Sequence, residues 1–223
     1  ALKDERKVAF AVRSDDFQKK IRVRKTANLI LFLVDGSWSM AVAERMKATK
    51  AAILSLLTDA YQRRDRVGLV VFQKDRATLV LAPTNSVLLA QRALANIPVG
   101  GKTPLSAGLE MAWEVIQREK ILHPDVQPLL IVLTDGAGNV PLTPGKPVAE
   151  EMAELAGMFA HEKIHSVVIN MEQKVFDSGL AQRLAENMNA VCYTIEDLRG
   201  DTLYETVQKE ISAPSVPTYR DLG

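Results

Sequence analysis

The sequence predicts a doubly wound α/β domain, a mostly parallel sheet with one antiparallel edge strand and helices on both faces. Two observations carry this. Short continuous apolar runs alternate with longer stretches whose apolar residues return every three or four positions, the pattern of buried parallel strands joined by amphipathic helices. Two of the runs lie too close together for a helical crossover, so they must pair as a hairpin and leave one antiparallel strand at an edge.

The first run, Leu29-Ile-Leu-Phe-Leu-Val34, has no polar alternation and stops at Asp35, as a strand covered on both faces would. Across 43–63 the residues Met46, Ile53, Leu54, Leu57, Ala60 and Tyr61 recur at helical spacing. Strands at 67–72 and 77–81 form the hairpin, with the second at the edge. A helix capped by Ser86 covers 86–96 and another covers 106–120, with the glycine-containing loop 99–104 between them. The strand 129–134 again stops at an aspartate, Asp135, and the long loop to Pro147 is of a length that more often serves function than connection. A helix at 148–162, a strand at 165–170, a helix at 180–188, a strand at 190–195 and a helix at 202–211 complete the pattern. Met40, Met46, Met111, Met152 and Met158 read as core filler.

The 223 residues carry 28 Lys+Arg against 27 Asp+Glu, a formal charge of +1. That balance argues against nucleic acid or an anionic membrane as the main target, since both call for surplus positive charge. The charge is uneven, however: residues 1–25 hold nine basic and four acidic side chains, leaving −4 for the rest. The expected organisation is a basic flank at 1–26, the domain at 27–212, and a proline-containing tail at 213–223. No apolar run approaches the roughly 18 to 20 residues of a membrane span. Cys192 is the single cysteine, so no intrachain disulfide can form and a reducing compartment is expected. A chain opening on Ala1 rather than Met is expected to be a piece of something larger.

In open α/β sheets, ligands bind beyond the carboxyl ends of the strands, where the strand order reverses. Asp35 and Asp135 stand at two such ends. After the first comes Asp35-Gly-Ser-Trp-Ser39, in which alternate residues bring one carboxylate and two hydroxyls, Ser37 and Ser39, toward one point. Thr103 in Gly100-Gly-Lys-Thr-Pro104 adds a third hydroxyl, and Asp135 a second carboxylate. All five are hard oxygen donors, the set that Mg²⁺ or another small divalent cation takes.

These residues resemble the metal-ion-dependent adhesion site of von Willebrand factor A domains, whose Asp-x-Ser-x-Ser … Thr … Asp motif is matched at all five positions. The element order fits the same family from about 28 to 211. Phe-Leu-Val-Asp35, Ser-Trp-Ser-Met40, Gly-Gly-Lys-Thr-Pro-Leu105-Ser-Ala-Gly-Leu109 and Asp197-Leu-Arg199 further resemble the C-terminal domain of the large AAA+-like, catalytically silent subunit of magnesium and cobalt chelatases. Trp38 departs from the Ala-Ser-Gly-Ser common in those relatives.

The resemblance implies a domain that binds rather than catalyses, within a chelatase-type (ligase) complex. Ser37, Ser39 and Thr103 would contact the cation directly and the aspartates often through water, leaving one position for an acidic side chain of a partner. The implied partners are an AAA+ ATPase subunit and a catalytic subunit that inserts a metal into a tetrapyrrole of chlorophyll or cobalamin synthesis. The implied location is the cytoplasm, or the soluble phase of a plastid or chromatophore. Trp38 and Lys102, beside the donors, are candidate partner contacts. An adaptor of another AAA+-driven cofactor-insertion or assembly machine is the alternative.

Other motifs fare less well. His161-Glu-Lys-Ile-His165 matches a zinc-protease pattern, but His165 opens an apolar run, so the two imidazoles are not expected on one helical face. Gly100-Gly-Lys-Thr103 resembles the end of a phosphate-binding loop, yet Asn96 holds the first glycine position and a helix, not a strand, precedes it. Asp35 as a phosphoryl acceptor lacks a companion acid, since Ser37 stands there, and no Gly-x-Ser-x-Gly is present.

Overall fold

Alternating burial on the two sides of a single sheet organises the molecule. The computed structural model describes residues 28–37, 65–95, 101–172 and 178–194, together with positions 51, 54, 55, 58, 63, 205, 209 and 210. Six strands, β1 (Asn28–Asp35), β2 (Arg66–Gln73), β3 (Arg76–Thr84), β4 (Gln127–Thr134), β5 (His165–Asn170) and β6 (Val191–Thr194), lie in the order β3-β2-β1-β4-β5-β6. Every neighbouring pair is parallel except β2 and β3, the expected antiparallel hairpin with β3 at the edge.

Strand β3 runs past the expected 81 to Thr84, through Pro83, which an edge strand tolerates because it needs no donor on its open side. Its register against β2 shifts between Val67 and Leu69 and again between Leu69 and Val70.

Helices α1 (Val87–Ala95), α2 (Leu105–Leu122), α3 (Val148–His161) and α4 (Leu180–Met188) match the expected ones to within about two residues. Ser86 lies just before α1 and accepts the Leu89 amide at 3.4 Å, a long version of the expected cap. Of the expected helix 43–63 and the last helix 202–211, only isolated positions are described; Leu54 and Thr58 are helical, joined by the Thr58 hydroxyl on the Leu54 carbonyl at 3.0 Å.

The uninterrupted apolar strands follow from burial on both sides. Ile30, Phe32, Val34, Leu69, Val71, Ile131 and Ile169 share one core with Leu54 and Val87. Leu29, Leu31, Leu33, Phe72, Leu130 and Val168 face the other, against α2, α3 and α4. Trp113 of α2 meets Phe159 of α3 edge-on, ring centres 5.3 Å apart. Met111 and Met152 pack against this second core as expected, whereas Met158 is 37% exposed, a correction that follows from its place on the outer side of α3.

The strand order places the reversal between β1 and β4, so the carboxyl ends of those strands flank the crevice where an open α/β sheet accepts ligands. The opposite end is held by polar contacts. The Asp65 carboxylate accepts the backbone and side-chain N–H of Asn28 at 2.8 and 3.1 Å, and Arg66 donates to Glu119 and to the Pro83 carbonyl at 2.6 and 2.7 Å.

Candidate functional site

Both strand-end aspartates fold back on the chain in the same way. Asp35 closes β1 and its Oδ1 accepts the Ser37 amide at 2.8 Å; Asp135 follows β4 and its Oδ1 accepts the Ala137 amide at 2.8 Å. Each is a carboxylate-capped turn that lets the chain leave the sheet abruptly. The first turn brings Ser37 back over the crevice, where its Oγ receives the Thr103 hydroxyl at 2.9 Å. Thr103 comes from the loop that precedes α2 and is almost wholly buried.

The structure therefore gathers four of the five expected donors, Asp35, Ser37, Thr103 and Asp135, from three separate segments at the β1/β4 reversal. Ser39, the fifth, and Trp38 lie outside the described residues. Lys102 is exposed immediately before Thr103.

Two residues not singled out in the sequence shape this site. Thr134, fully buried at the end of β4, directs its hydroxyl to Asp35 Oδ2 at 3.5 Å and accepts the Gly136 amide at 3.1 Å, so it stands between the two aspartate turns. Asn139 clamps the Asp135 loop to the Thr103 loop: its Oδ1 accepts the Thr103 amide at 2.8 Å and its own amide donates to the Thr103 carbonyl at 3.0 Å. The loop length was the available signal for Asn139. For Thr134 there was none, since a threonine at a strand end is ordinary.

The far half of the Asp135 loop is anchored by Glu151 in the first turn of α3, whose buried carboxylate accepts the amides of Leu142 and Thr143, both at 2.8 Å. Burial pushes this carboxyl up, but the Leu142 and Thr143 amides outweigh it and hold it below the ordinary carboxylate range. Gly136 makes the sharp exit from β4 possible. Its φ is +80°, and a Cβ there would stand 2.4 Å from the Ala181 nitrogen and the Leu180 carbonyl carbon, so only a residue without a side chain fits against α4.

The Asp35 carboxyl is pushed up to about 6, first by burial and further by the Asp135 charge, with the Ser37 and Thr134 contacts opposing. Two anionic groups that disfavour one another, beside touching hydroxyls, form a set that a divalent cation would relieve. The residues fit Mg²⁺, because every donor is a hard oxygen and no thiolate or imidazole is among them. The His-Glu-x-x-His pattern is indeed split. Helix α3 ends at His161, Lys163 turns to φ +52°, and His165 opens β5 with its Nε2 2.9 Å from Glu210.

Known proteins resemble this chain in sequence and in fold. The von Willebrand factor type A domain family matches residues 30–137, which contain the first aspartate turn, Thr103 and Asp135. The chain is 43% identical over 197 residues to an uncharacterized protein of Mycobacterium tuberculosis, covering 87% of this chain and 30% of that one. It is 34% identical over 209 residues to the magnesium-chelatase 67 kDa subunit of Heliobacterium mobile, covering 91% of this chain and 31% of the subunit. The chain thus spans under a third of the length of both relatives. An uncharacterized protein of Methanocaldococcus jannaschii is 35% identical over 167 residues, 74% of this chain and 95% of that protein. Among solved structures, the BatB protein of Bacteroides thetaiotaomicron superposes with a TM-score of 0.62 at 19% identity, covering 83% of this chain and 97% of that one, a likeness of fold. The chain belongs to the von Willebrand factor type A domain family, and over this domain it is related to the magnesium-chelatase subunits.

Proposed function

We propose that this domain, spanning 27–212, is a Mg²⁺-dependent protein-interaction module of a non-catalytic chelatase subunit, coupling an AAA+ ATPase to insertion of a metal into a tetrapyrrole. The observation that carries the reading is the contact of Thr103 Oγ1 with Ser37 Oγ at 2.9 Å beside Asp35, which joins donors of two segments 66 residues apart at one point. Asp35, Ser37, Ser39, Thr103 and Asp135 would hold the cation, which supplies an electrophilic point for an acidic side chain of the partner. Hydroxyls donate less charge than carboxylates do, so a cation held largely by them keeps affinity for one more anion.

The chain's own work is positional. Thr134 and the aspartate turns fix the carboxylates, Asn139 fixes the Thr103 loop, and Trp38 and Lys102 would meet the partner. The domain binds and transmits; nucleotide hydrolysis belongs to the AAA+ subunit and metal insertion to the catalytic subunit. Among the described residues no helix is long and apolar enough to cross a membrane, in keeping with work in a soluble phase such as the cytoplasm.

The test is co-sedimentation of the chain with the AAA+ subunit of a magnesium chelatase, in Mg²⁺ or in EDTA. Binding in Mg²⁺, lost in EDTA and in Asp35→Ala and Ser37→Ala, is expected. Binding indifferent to both would overturn the metal bridge. A second reading, an adaptor in a different AAA+-driven assembly machine, draws on the Methanocaldococcus relative, 95% of whose length is this domain, so the unit occurs without a long AAA+-like portion beside it. Co-purification from a source extract, with Mg²⁺ or EDTA, would separate the two by the identity of the captured ATPase.

A further inference from the structure

The turn that joins β2 to β3 is built into the rim of the metal site. On one side, a Cβ at Gly36, within the first aspartate turn, would stand 3.3 Å from Gln73 Cβ. On the other, a Cβ at Gly101, two residues before Thr103, would stand 2.8 Å from Lys74 Cγ and 3.4 Å from the Lys74 Cα and nitrogen, and Gly101 has φ +114°. The hairpin end therefore leans on both donor-bearing loops, and it carries charge. Lys74, Asp75 and Arg76 are all exposed, as is Lys102, the neighbour of Gly101. Asp75 pairs with Arg76 at 3.3 Å, whereas no ion pair engages Lys74 or Lys102 among the described residues. Lys74 and Lys102 thus form a small cationic corner directly beside the site, one that no ion pair neutralises among the described residues.

Lys74 has a further peculiarity. It occupies the first central position of a two-residue hairpin turn with φ +58°, where glycine or asparagine is the usual choice. Among the described residues neither an ion pair nor burial explains a lysine there. A residue kept in a disfavoured conformation at the edge of a binding site points to a role in what binds.

We infer that Lys74 and Lys102 form an electrostatic docking corner for an acidic segment of the partner protein, one that brings further carboxylates alongside the single acid offered to the metal. The inference rests on the metal-bridge reading and adds to it the chemical character of the partner: a run of Asp and Glu rather than an isolated acid. An extended segment presents alternate side chains on one side, so acids at every second position can serve the cation and the corner together. Each lysine contributes at the level of an exposed charge pair and adds to the encounter rate by steering.

Two blocked decapeptides of Gly and Ser test this by fluorescence anisotropy against the 223-residue chain, one with a single Asp and one with three Asp at alternate positions. In millimolar MgCl₂ the three-Asp peptide should bind the wild type about tenfold tighter than the one-Asp peptide, and the preference should shrink in added salt. Lys74→Asn should reduce the preference to about threefold while leaving Mg²⁺ titration unchanged, and the double variant Lys74→Asn, Lys102→Ser should reduce it to below about twofold. Asparagine suits the positive φ, so the turn is kept. A double variant that keeps the full preference, or a wild type without one, overturns the corner. Failure of the metal bridge reads differently: the one-Asp peptide would then bind equally well in EDTA, whatever the lysines do.

Discussion

Thr103 and Ser37, 66 residues apart in the chain, touch through their hydroxyls at 2.9 Å, with Thr103 the donor. The contact fixes the spacing of two of the hard oxygen donors before any cation arrives. Thr103→Val keeps the shape and removes the oxygen. Mg²⁺ affinity measured by calorimetric titration should fall by at least about tenfold, while unfolding stability without metal should change by only about 1 kcal/mol.

Asn139 acts on the site through Thr103 and not directly. Asn139→Ala releases the Thr103 amide and should weaken Mg²⁺ by roughly tenfold, the scale of losing a residue that orients a ligand. Asn139→Asp keeps the accepting oxygen and should restore most of that affinity. Equal losses in both variants would show that the side-chain acceptor is not what matters.

Gly136 sits where β4 turns away under α4. Gly136→Ala places a methyl group 2.4 Å from the backbone at Leu180 and Ala181 and forces a positive φ on alanine. A loss of about 3 kcal/mol or more is expected, since the clash is with backbone that cannot rotate aside. For a domain of this size that is a fall in melting temperature of roughly 6–12 °C, read by calorimetry.

Glu151 supplies the pH dependence. Its folded carboxyl is held below the ordinary value of 4.5, so its contribution to stability is complete above that pH and is lost as pH falls further through the folded value. Urea unfolding of the wild type should therefore show stability dropping below about pH 4.5. Glu151→Gln, unable to ionise, should be weaker at pH 7 by about 1–3 kcal/mol and should lack this component of the acid sensitivity. Acid profiles of the same shape in both proteins would remove Glu151 as its source.

Much of this was legible in the chain. Leu29 to Val34 and Leu129 to Leu133 are apolar without alternation because each residue has a core on its own side of the sheet, and such runs announce buried strands. The candidate donors were legible for a different reason. The Asp-x-Ser step is short-range geometry, set by the aspartate that accepts the amide two residues on, and needs no distant partner. Thr134, Asn139 and the Lys74 turn were not legible. Each acts across segments far apart in sequence, and neither threonine, asparagine nor lysine carries a periodicity that marks such a contact. Met158 was misread for a related reason: apolar character does not say which side of a helix faces the core.

The sequence by itself determined the alternation of elements, the antiparallel hairpin, and the two aspartates at strand ends, since hydrophobic period and local turn chemistry act over a few residues. Only the tertiary structure decided that those ends lie side by side at the reversal of strand order, that Thr103 reaches Ser37, and that Lys74 packs against Gly101 at the rim. The physical reason is register. Which strands pair, and how loops far apart in the sequence come to touch, is fixed by burying both faces of one sheet at once, a condition on the whole chain that no local segment contains.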